Sequence, residues 1–375
     1  MVNNKLNKFR INKKSDYVLS LAIFALVIFG LIMVSSASVI KSYEATDGAS
    51  NYYYLIRQFI NVGIGIIFWL IFQAIDYRKW KKYAIWFFLI SLFLTFLVFI
   101  PGIGQKIGGA TRWIGFGSYA FQPSELLKLS FIIFLASYFD NIQENIENFF
   151  KGLLPFLFIL VVIVFILMNQ PDMGTAMIFV LISLGMFFIA GANLWQFLSL
   201  LPIGGIIFWV LIKSSPYRMA RFMTFLNPSA DSLGKSYHVN QSLIAIGSGG
   251  WWGQGFGNSH QKYNFLPEPM TDSVFAVAAE ELGFLRSFLI IAAFALIAWR
   301  GFLIAKNAAD NFGKYLASGI VLWIVFQAFI NLAAMLGIIP LTGVPLPFVS
   351  YGGSSLIILL SASGILLNIS KSAKN

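Results

Sequence analysis

Apolar stretches of about 20 residues recur along the whole chain, separated by mostly short polar segments. A helix of about 20 residues crosses a roughly 30 Å hydrocarbon core, so each stretch is long enough to span a membrane. The ten predicted spans are residues 17–38, 53–75, 79–100, 123–139, 152–169, 173–190, 194–212, 272–299, 314–336 and 353–370. The pattern therefore predicts an all-α membrane protein, a polytopic bundle of ten transmembrane helices that forms one domain over residues 1–375.

Two polar segments, residues 101–125 and residues 213–272, are much longer than the other connections. Connections of this length without secondary structure are usually functional or disordered. The stretch "SLIAIGSGGWWGQGFG" in the second segment is apolar, aromatic and glycine-rich. It predicts a short interfacial helix followed by tight turns. Residues 213–272 are thus expected to form a large structured extracytoplasmic loop before the eighth helix.

Composition agrees with a membrane protein, since 58% of the residues are hydrophobic and 11% are charged. The net charge of +11 does not indicate nucleic-acid binding, because the basic residues are spread through short loops. More than half of the 26 Lys and Arg residues fall on the cytoplasmic side if the chain begins there. The positive-inside rule then places both termini in the cytoplasm, including an N-terminal tail of residues 1–16.

The chain contains no cysteine, which excludes disulfides and thiol chemistry. Its two histidines, His238 and His260, both lie in the long outer loop. They lack cysteine partners and helical spacing, so a zinc site is not expected, and the pattern identifies no other metal ligands.

Several charged residues lie near the predicted outer ends of helices. Glu125 and Lys128 in "QPSELLKLS" indicate either a well-made helix start with an i, i+3 pair or a functional site. The functional alternative is open because Lys128 lies a turn deeper than a loop residue. Arg112 beside Trp113 is either an interfacial anchor or a fork for phosphate oxygens. Asp172 in "NQPDMGT" is expected to cap the next helix.

Further charges surround the start of the eighth predicted helix. Asp272 is either the N-cap of this helix or a functional carboxylate. The functional interpretation is favoured by other charges that the same loop carries, which are Glu268, Arg218, Arg221 and Lys262. Deeper in the helix, three ionisable residues are expected to brace the bundle through buried contacts, namely Glu280, Glu281 and Arg286.

Four segments resemble, in order, the signature segments of the SEDS family (shape, elongation, division and sporulation). They are "GATRWIGFGSYAFQPSELLKL", "NQPDMGTAM", "HVNQSLIAIGSGGWWGQGFGNSHQKYNFLPEPMTDSVFAVAAEELGF" and "GVPLPFVSYGGSSL". Members are bacterial ten-helix glycosyltransferases that polymerise peptidoglycan, and "GNSHQKYNFLPEP" is closer to the division and sporulation members than to the elongation member. The chain departs from the family pattern at Ser273, where Phe is common, and at Arg286, where a small residue is expected.

The resemblance implies a substrate and a reaction. Asp272 matches the essential aspartate of the family and would act as general base. The implied substrate is lipid II, a disaccharide-pentapeptide on a polyprenyl pyrophosphate. The residues expected to bind this substrate are Arg112, Glu125, Lys128, Arg218, Arg221, Lys262, Glu268, Ser350, Gly352 and Gly353. No organic cofactor is expected, and a divalent cation, Mg²⁺ or Mn²⁺, is a candidate to neutralise the pyrophosphate.

The implied product is a β-1,4-linked glycan made at the outer face of the bacterial cytoplasmic membrane for septal wall synthesis. The implied partners are a single-span class B penicillin-binding protein, which is a transpeptidase, and other division proteins. A lipid II flippase or other transporter is the main alternative, which Glu280, Glu281 and Gln327 leave open. A scaffold without activity and an elongation-type or sporulation-type polymerase are further alternatives.

Overall fold

The computed structural model describes residues 15–107, 110–116, 119–227 and 236–373, which form long helices and one small sheet. The helices are α1 (Tyr17–Ala37), α2 (Val39–Ala45), α3 (Tyr53–Ala74), α4 (Arg78–Leu97), α5 (Pro123–Asn141), α6 (Leu154–Asn169), α7 (Met173–Ile189), α8 (Leu194–Lys213), α9 (Pro216–Leu226), α10 (Tyr237–Ser248), α11 (Val274–Lys306), α12 (Asn311–Met335) and α13 (Gly353–Lys371). A 3₁₀ turn, Gln143–Asn145, and a π-helical turn, Phe149–Leu153, connect α5 to α6.

A helix occurs at each of the ten predicted spans, namely α1, α3 to α8 and α11 to α13. Within the described ranges, eight helical stretches are long and apolar enough to cross a membrane. The two others are α7, which has 17 residues, and α5, which carries Glu125, Lys128 and Asp140. The polytopic all-α membrane fold is confirmed, while crossing by all ten helices stays a prediction.

The core of the bundle is built around α12 and α13, which are mostly buried. Helix α13 packs along α3, and α12 packs against α5, α7 and α11. Small residues allow such close approach between membrane helices. A Cβ atom added to Gly364 of α13 would lie 2.5 Å from the carbonyl oxygen of Trp69 in α3. The outer faces of α3 and α4 instead expose Ile, Phe and Leu side chains, as a surface in contact with lipid requires.

Charged residues tie helices together at the predicted cytoplasmic end. Asp16 accepts a hydrogen bond from the N–H of Leu19 as the N-cap of α1, and it pairs with Arg300 of α11 at 2.6 Å. Arg78 at the start of α4 pairs with Asp310 before α12 at 2.9 Å. The helix ends that were predicted to share the cytoplasmic side of the membrane therefore meet in the structure.

In the outer segment of residues 101–125, the described residues form three short antiparallel strands that the sequence pattern did not predict. They are β1 (Gly104–Ile107), β2 (Ala110–Phe116) and β3 (Tyr119–Phe121), paired in the order β1-β2-β3. Closely spaced glycines obscure the alternation of apolar and polar residues that would identify such strands. Strand β2 carries Arg112, and β3 leads directly into α5.

The described part of the long outer loop contains two helices, α9 and α10. A helix, α10, occurs where the interfacial helix was predicted, and the turns after it include left-handed conformations at Gly250, Gly253 and Gly255. Its location at the membrane interface stays a prediction. Helix α9 was not predicted. It begins with Pro216, which suits the first turn of a helix, and it follows α8 after only two residues.

The turns after α10 dock on α11 where that helix is broken at Gly283, which has φ 76°. The N–H of Gln254 donates to the carbonyl of Glu280 at 2.9 Å, and the N–H of Phe284 donates to the carbonyl of Gly250 at 2.8 Å. Backbone groups freed by a break inside a membrane helix must find partners within the protein. The loop supplies them, and a side chain at Gly283 would collide with the backbone of Trp252 and Gly253.

Candidate active site around Asp272

Asp272 lies in the turn of residues 267–273 that leads into α11, and it is not the helix cap. The N-cap is Ser273, and neither side chain supplies a capping hydrogen bond there. The alternative interpretation of Asp272 as an N-cap is therefore wrong. Its side chain is 9% exposed although it lies in a connection between elements.

The turn is fixed by contacts with two other segments. Asn331 of α12 donates to the backbone carbonyls of Asp272 and Val344, each at 2.8 Å. Ser350 donates to the carbonyl of Thr271, and the N–H of Tyr351 donates to the carbonyl of Met270 at 2.8 Å. These contacts hold the Asp272 backbone in place without using its carboxylate.

The environment of Asp272 favours its protonated form. Burial, followed by the negative charge of Glu268, raises the pKa of Asp272 to about 7. The hydroxyl of Thr271 lies 3.3 Å from Asp272 Oδ1 and 2.9 Å from Glu268 Oε2, so it stands between the two carboxylates. A carboxyl with a pKa near neutrality suits a general base, because its basic form is both populated and strong.

A cavity of about 190 Å³ opens between α9, α10 and the segment after α12. Its polar lining includes Arg221, Thr224 and His238, and its apolar lining includes Phe225 and Leu341. Arg221 donates to the carbonyl of Leu341 at 2.8 Å. Its positive charge also acts to lower the pKa values of Asp272 and His238. Arg221 is thus a predicted cation that the structure brings to the Asp272 region.

Arg112 and Arg218 both donate hydrogen bonds to backbone carbonyls at the end of α6 and in the turn that follows it. Arg112 donates to the carbonyls of Gln170 and Pro171 and lies 3.6 Å from Asp172, which caps α7 as predicted. Arg218 donates to Leu211 at 2.8 Å and to Met168 at 3.0 Å. These contacts hold both arginines within the protein. Interfacial anchoring by Arg112 and substrate binding by either arginine stay predictions.

Glu125 and Lys128 form a buried ion pair of 2.8 Å inside the bundle. Lys128 also donates to the side chain of Gln327 at 3.0 Å, and Gln327 donates to the carbonyl of Pro345 at 3.0 Å. The i, i+3 pair is confirmed. The cluster supports the same segment, residues 344–350, that holds the Asp272 turn, and Glu125 Oε2 has no hydrogen-bond partner among the described residues.

Lys262 is buried in an ion pair with Glu281 at 2.9 Å, and it also donates to Ser36 of α1 at 2.8 Å. Glu280 accepts hydrogen bonds from Ser259 and from the N–H of His260. The predicted bracing between helices is confirmed for Glu281, which accepts from Ser36 of α1, whereas the buried Glu280 holds the loop instead. The predicted contact of Lys262 with pyrophosphate has no geometric support, because its ammonium is already paired below the surface.

Arg286 is exposed and donates only to the carbonyl of Trp252, at 3.3 Å, among the contacts in the described ranges. Its predicted role as a buried brace is therefore wrong. The prediction treated α11 as one continuous helix. The break at Gly283 rotates the part of α11 that carries Arg286 relative to the part that carries Glu280 and Glu281.

Several polar groups of the turn before α13 form hydrogen bonds within the protein. Ser350 also accepts a hydrogen bond from the N–H of Leu346 at 2.8 Å, and the N–H of Gly352 faces Gln58 Oε1 at 3.4 Å. A side chain at Gly353 would contact Asn61 of α3. These contacts are those of a tight helix start. Binding of phosphate or sugar by Ser350, Gly352 and Gly353 stays a prediction.

Among the described residues, no group of three or more His, Asp and Glu side chains is arranged to hold a metal ion. Glu268 and Asp272 nevertheless present two carboxylates on one turn. Mg²⁺ is often held by one or two carboxylates together with substrate phosphates. The residues present fit a divalent ion only in that mode.

Asn331 and His238 contribute to the site but were not identified as site residues from the sequence. Asn331 lies inside an apolar helix, where a buried amide costs free energy unless it is hydrogen-bonded. An amide at such a position is the sequence feature that could have identified Asn331 as a site residue. His238 was considered only as a metal ligand. Its Nε2 lies 2.7 Å from the Ser273 hydroxyl.

Comparison with known proteins gives relatives over nearly the full length of the chain. Stage V sporulation protein E of Bacillus subtilis is 42% identical over 357 residues, covering 95% of this chain and 97% of that protein. The probable peptidoglycan glycosyltransferase FtsW of Trichlorobacter lovleyi is 41% identical, covering 96% of this chain and 94% of that protein.

Solved structures share the fold. A chain from the structure described as "Structural coordination of polymerization and crosslinking by a peptidoglycan synthase complex" has a TM-score of 0.76 and 27% identity, covering 95% of this chain and 97% of that chain. The rod shape determining protein RodA of Thermus thermophilus has a TM-score of 0.70 and 27% identity, covering 96% and 98%. The family described as "Cell cycle protein", which groups FtsW, RodA and SpoVE, matches residues 17–375. The resemblance seen in the sequence is thereby confirmed, and the chain belongs to this family of multi-pass membrane proteins.

Proposed function

We propose that this protein is a peptidoglycan glycosyltransferase that polymerises lipid II into β-1,4-linked glycan at the outer face of the cytoplasmic membrane. The observation that carries the proposal is the buried carboxylate of Asp272, with a pKa near neutrality, at the predicted outer end of α11. A lipid-linked sugar would present its reacting atoms at this depth. The direct test is incubation of the purified protein with lipid II, with and without a transpeptidase partner, followed by analysis of the glycan.

In the proposed reaction, the 4-hydroxyl of a GlcNAc unit attacks the anomeric carbon of the lipid-linked chain. A new carbon–oxygen bond forms as the bond from that carbon to the pyrophosphate oxygen breaks, and the pyrophosphate leaves with the electron pair. Asp272 accepts the proton of the attacking hydroxyl. Inversion of an α-linked donor in one displacement gives the β-linked product.

The leaving pyrophosphate needs positive charge rather than a proton. Our candidate to supply it is Arg221, because its charge acts on Asp272 and its guanidinium matches phosphate oxygens. A divalent ion bound by the pyrophosphate with Asp272 or Glu268 would add further positive charge.

The rate of polymerisation is expected to rise with pH through about 7 and then to level off. Asp272 acts as a base only when ionised, and its pKa is raised to about 7, so the ionised fraction grows between pH 5.5 and 7. Initial rates with saturating lipid II from pH 5.5 to 8.5 test this expectation. A rate that is constant or falls over this range would contradict the role of Asp272 as the base.

Arg221→Ala is expected to lower turnover by about tenfold or more, because it removes a charge-assisted contact with the leaving group. Lys81→Ala is the control. Lys81 pairs with Asp140 at the predicted cytoplasmic end and should leave turnover unchanged. Equal losses in the two variants would show an effect on stability rather than on the reaction.

The contacts of the ionisable residues inside the bundle favour a polymerase over a flippase. Glu280, Glu281 and Gln327 are each engaged by side chains or backbone groups of the protein. A transport path would instead need polar groups that face a passage near the midplane.

We further propose that the protein acts at the division septum with a class B penicillin-binding protein. The FtsW relatives support the division role, and the solved synthase complex, which couples polymerization to crosslinking, supports a crosslinking partner. The sporulation relative is equally similar in sequence. Depletion in the source bacterium separates the two roles. A failure of septation during growth would support the division role. A defect confined to spore formation would support the sporulation role.

A further inference from the structure

Helix α10 contacts the Asp272 turn through a pair of polar side chains. His238 Nε2 lies 2.7 Å from Ser273 Oγ, and Ser273 Oγ donates to the carbonyl of Pro267 at 2.9 Å. A serine hydroxyl has one hydrogen to donate. Because that hydrogen is directed to Pro267, the Ser273 oxygen accepts from the histidine, and the Nε2 atom of His238 must carry a proton.

The histidine can make this contact without adding a positive charge. Burial, and then the nearby Arg221, lower the pKa of His238 to about 4. The ring is therefore neutral at neutral pH, with its proton on Nε2. A cationic donor at the same place would stabilise the ionised form of Asp272 and weaken it as a base.

The hydroxyl of Ser273 joins the two ends of the turn. It bonds to Pro267 at the beginning and belongs to the last residue before α11, so Glu268 and Asp272 lie between the two points. Asn331 and Ser350 hold the turn from the side of α12 and α13. The His238 contact supplies the support from α10.

We infer that His238 is a positioning residue for Asp272 and acts through Ser273. The inference rests on the proposed function and deepens it. His238 has no hydrogen bond to the Asp272 carboxylate among the described contacts, so it orients the base rather than exchanging protons with the substrate.

Four variants of the full-length protein test this inference with lipid II as substrate. His238→Phe keeps a ring but removes the donor, and Ser273→Ala removes the acceptor. We expect each to lower kcat about tenfold with KM changed less than about twofold, because a small displacement of a base lowers the rate without affecting uniform binding. His238→Gln, which places an amide N–H near the Nε2 position, should recover most of the lost rate.

The fourth variant, His238→Phe with Ser273→Ala, should lose no more kcat than Ser273→Ala alone, because that substitution already removes the His238 contact together with the hydrogen bond to Pro267. Ser248→Ala, in the last turn of α10, is the matched control and should retain the full kcat. Thermal unfolding of each protein identifies variants that fail to fold. If His238→Phe does not fold, Ser273→Ala and His238→Gln still decide the question.

Multiplicative losses of about a hundredfold in the double variant would overturn the inference. So would full activity in His238→Phe, or a His238→Gln protein as impaired as His238→Phe. These results differ from failure of the proposed function, in which the unmodified protein itself would make no glycan.

Discussion

Asp272→Asn is expected to lower glycan polymerisation by about 10² to 10⁴-fold, the usual contribution of a general base. Asparagine has nearly the size of aspartate, and the backbone contacts from Asn331 do not involve the carboxylate. The turn should therefore keep its conformation. Glycan chain formation by the purified variant, measured by electrophoresis of products made from labelled lipid II, tests this expectation.

The thermal stability of Asp272→Asn shows whether a loss of activity reflects unfolding. A carboxyl whose pKa is raised from 3.8 to about 7 in the folded protein binds protons more tightly there than in the unfolded chain. Stability is then lost as the pH rises between these values, because the folded state must give up that proton. The neutral variant avoids this loss and should have a higher Tm than the unmodified protein at pH 8.

Glu281→Ala is expected to destabilise the protein by about 3 to 5 kcal/mol, because it leaves the ammonium of Lys262 buried without its partner. The side chain of Glu281 is fully buried and that of Lys262 is 5% exposed, so solvent cannot replace the lost charge. The measurement is the temperature at which detergent-solubilised protein unfolds. Glu44→Ala is the control, because the pair of Glu44 and Lys41 is exposed and should not affect this temperature.

Replacing both members of the pair distinguishes charge from packing. Glu281→Leu with Lys262→Met removes both charges and keeps apolar volume, and such replacements of buried pairs are often neutral or stabilising. We expect the double variant to recover most of the stability lost in Glu281→Ala. If the double variant is as unstable as Glu281→Ala, the contacts that Ser36 and the loop backbone make with the two charged side chains are themselves needed for stability.

The membrane bundle could be predicted from the sequence because a bilayer requires long apolar runs wherever a helix crosses it. No such constraint acts on the outer segments. Helix α9 nevertheless has local signals, Pro216 in its first turn and an amphipathic pattern, whereas the strands β1 to β3 depend on pairing between short glycine-rich stretches. The break at Gly283 was missed for a related reason, since it depends on the loop that docks there.

The candidate site was predicted unevenly. Asp272 could be identified because its motif is specific, and Arg221 because the loop brings positive charge to the same region. Lys262, Arg218 and Arg221 looked equivalent in the sequence. Lys262 pairs with the buried Glu281 and both arginines donate to backbone carbonyls, but it is the charge of Arg221 that acts to lower the pKa of Asp272. The partners of a cation are set by tertiary contacts, so charge and position in the chain do not show which cations remain near the carboxylate.

The most direct test of the proposed polymerase places labelled lipid II in the outer leaflet of sealed vesicles that contain the protein, a class B transpeptidase and divalent ions. Glycan products and the leaflet distribution of the label are then measured together. We predict polymer from the outer-leaflet substrate with the unmodified protein and none with Asp272→Asn. Rapid exchange of lipid II between leaflets that is insensitive to Asp272→Asn, with no polymer formed, would contradict the proposal and indicate a flippase.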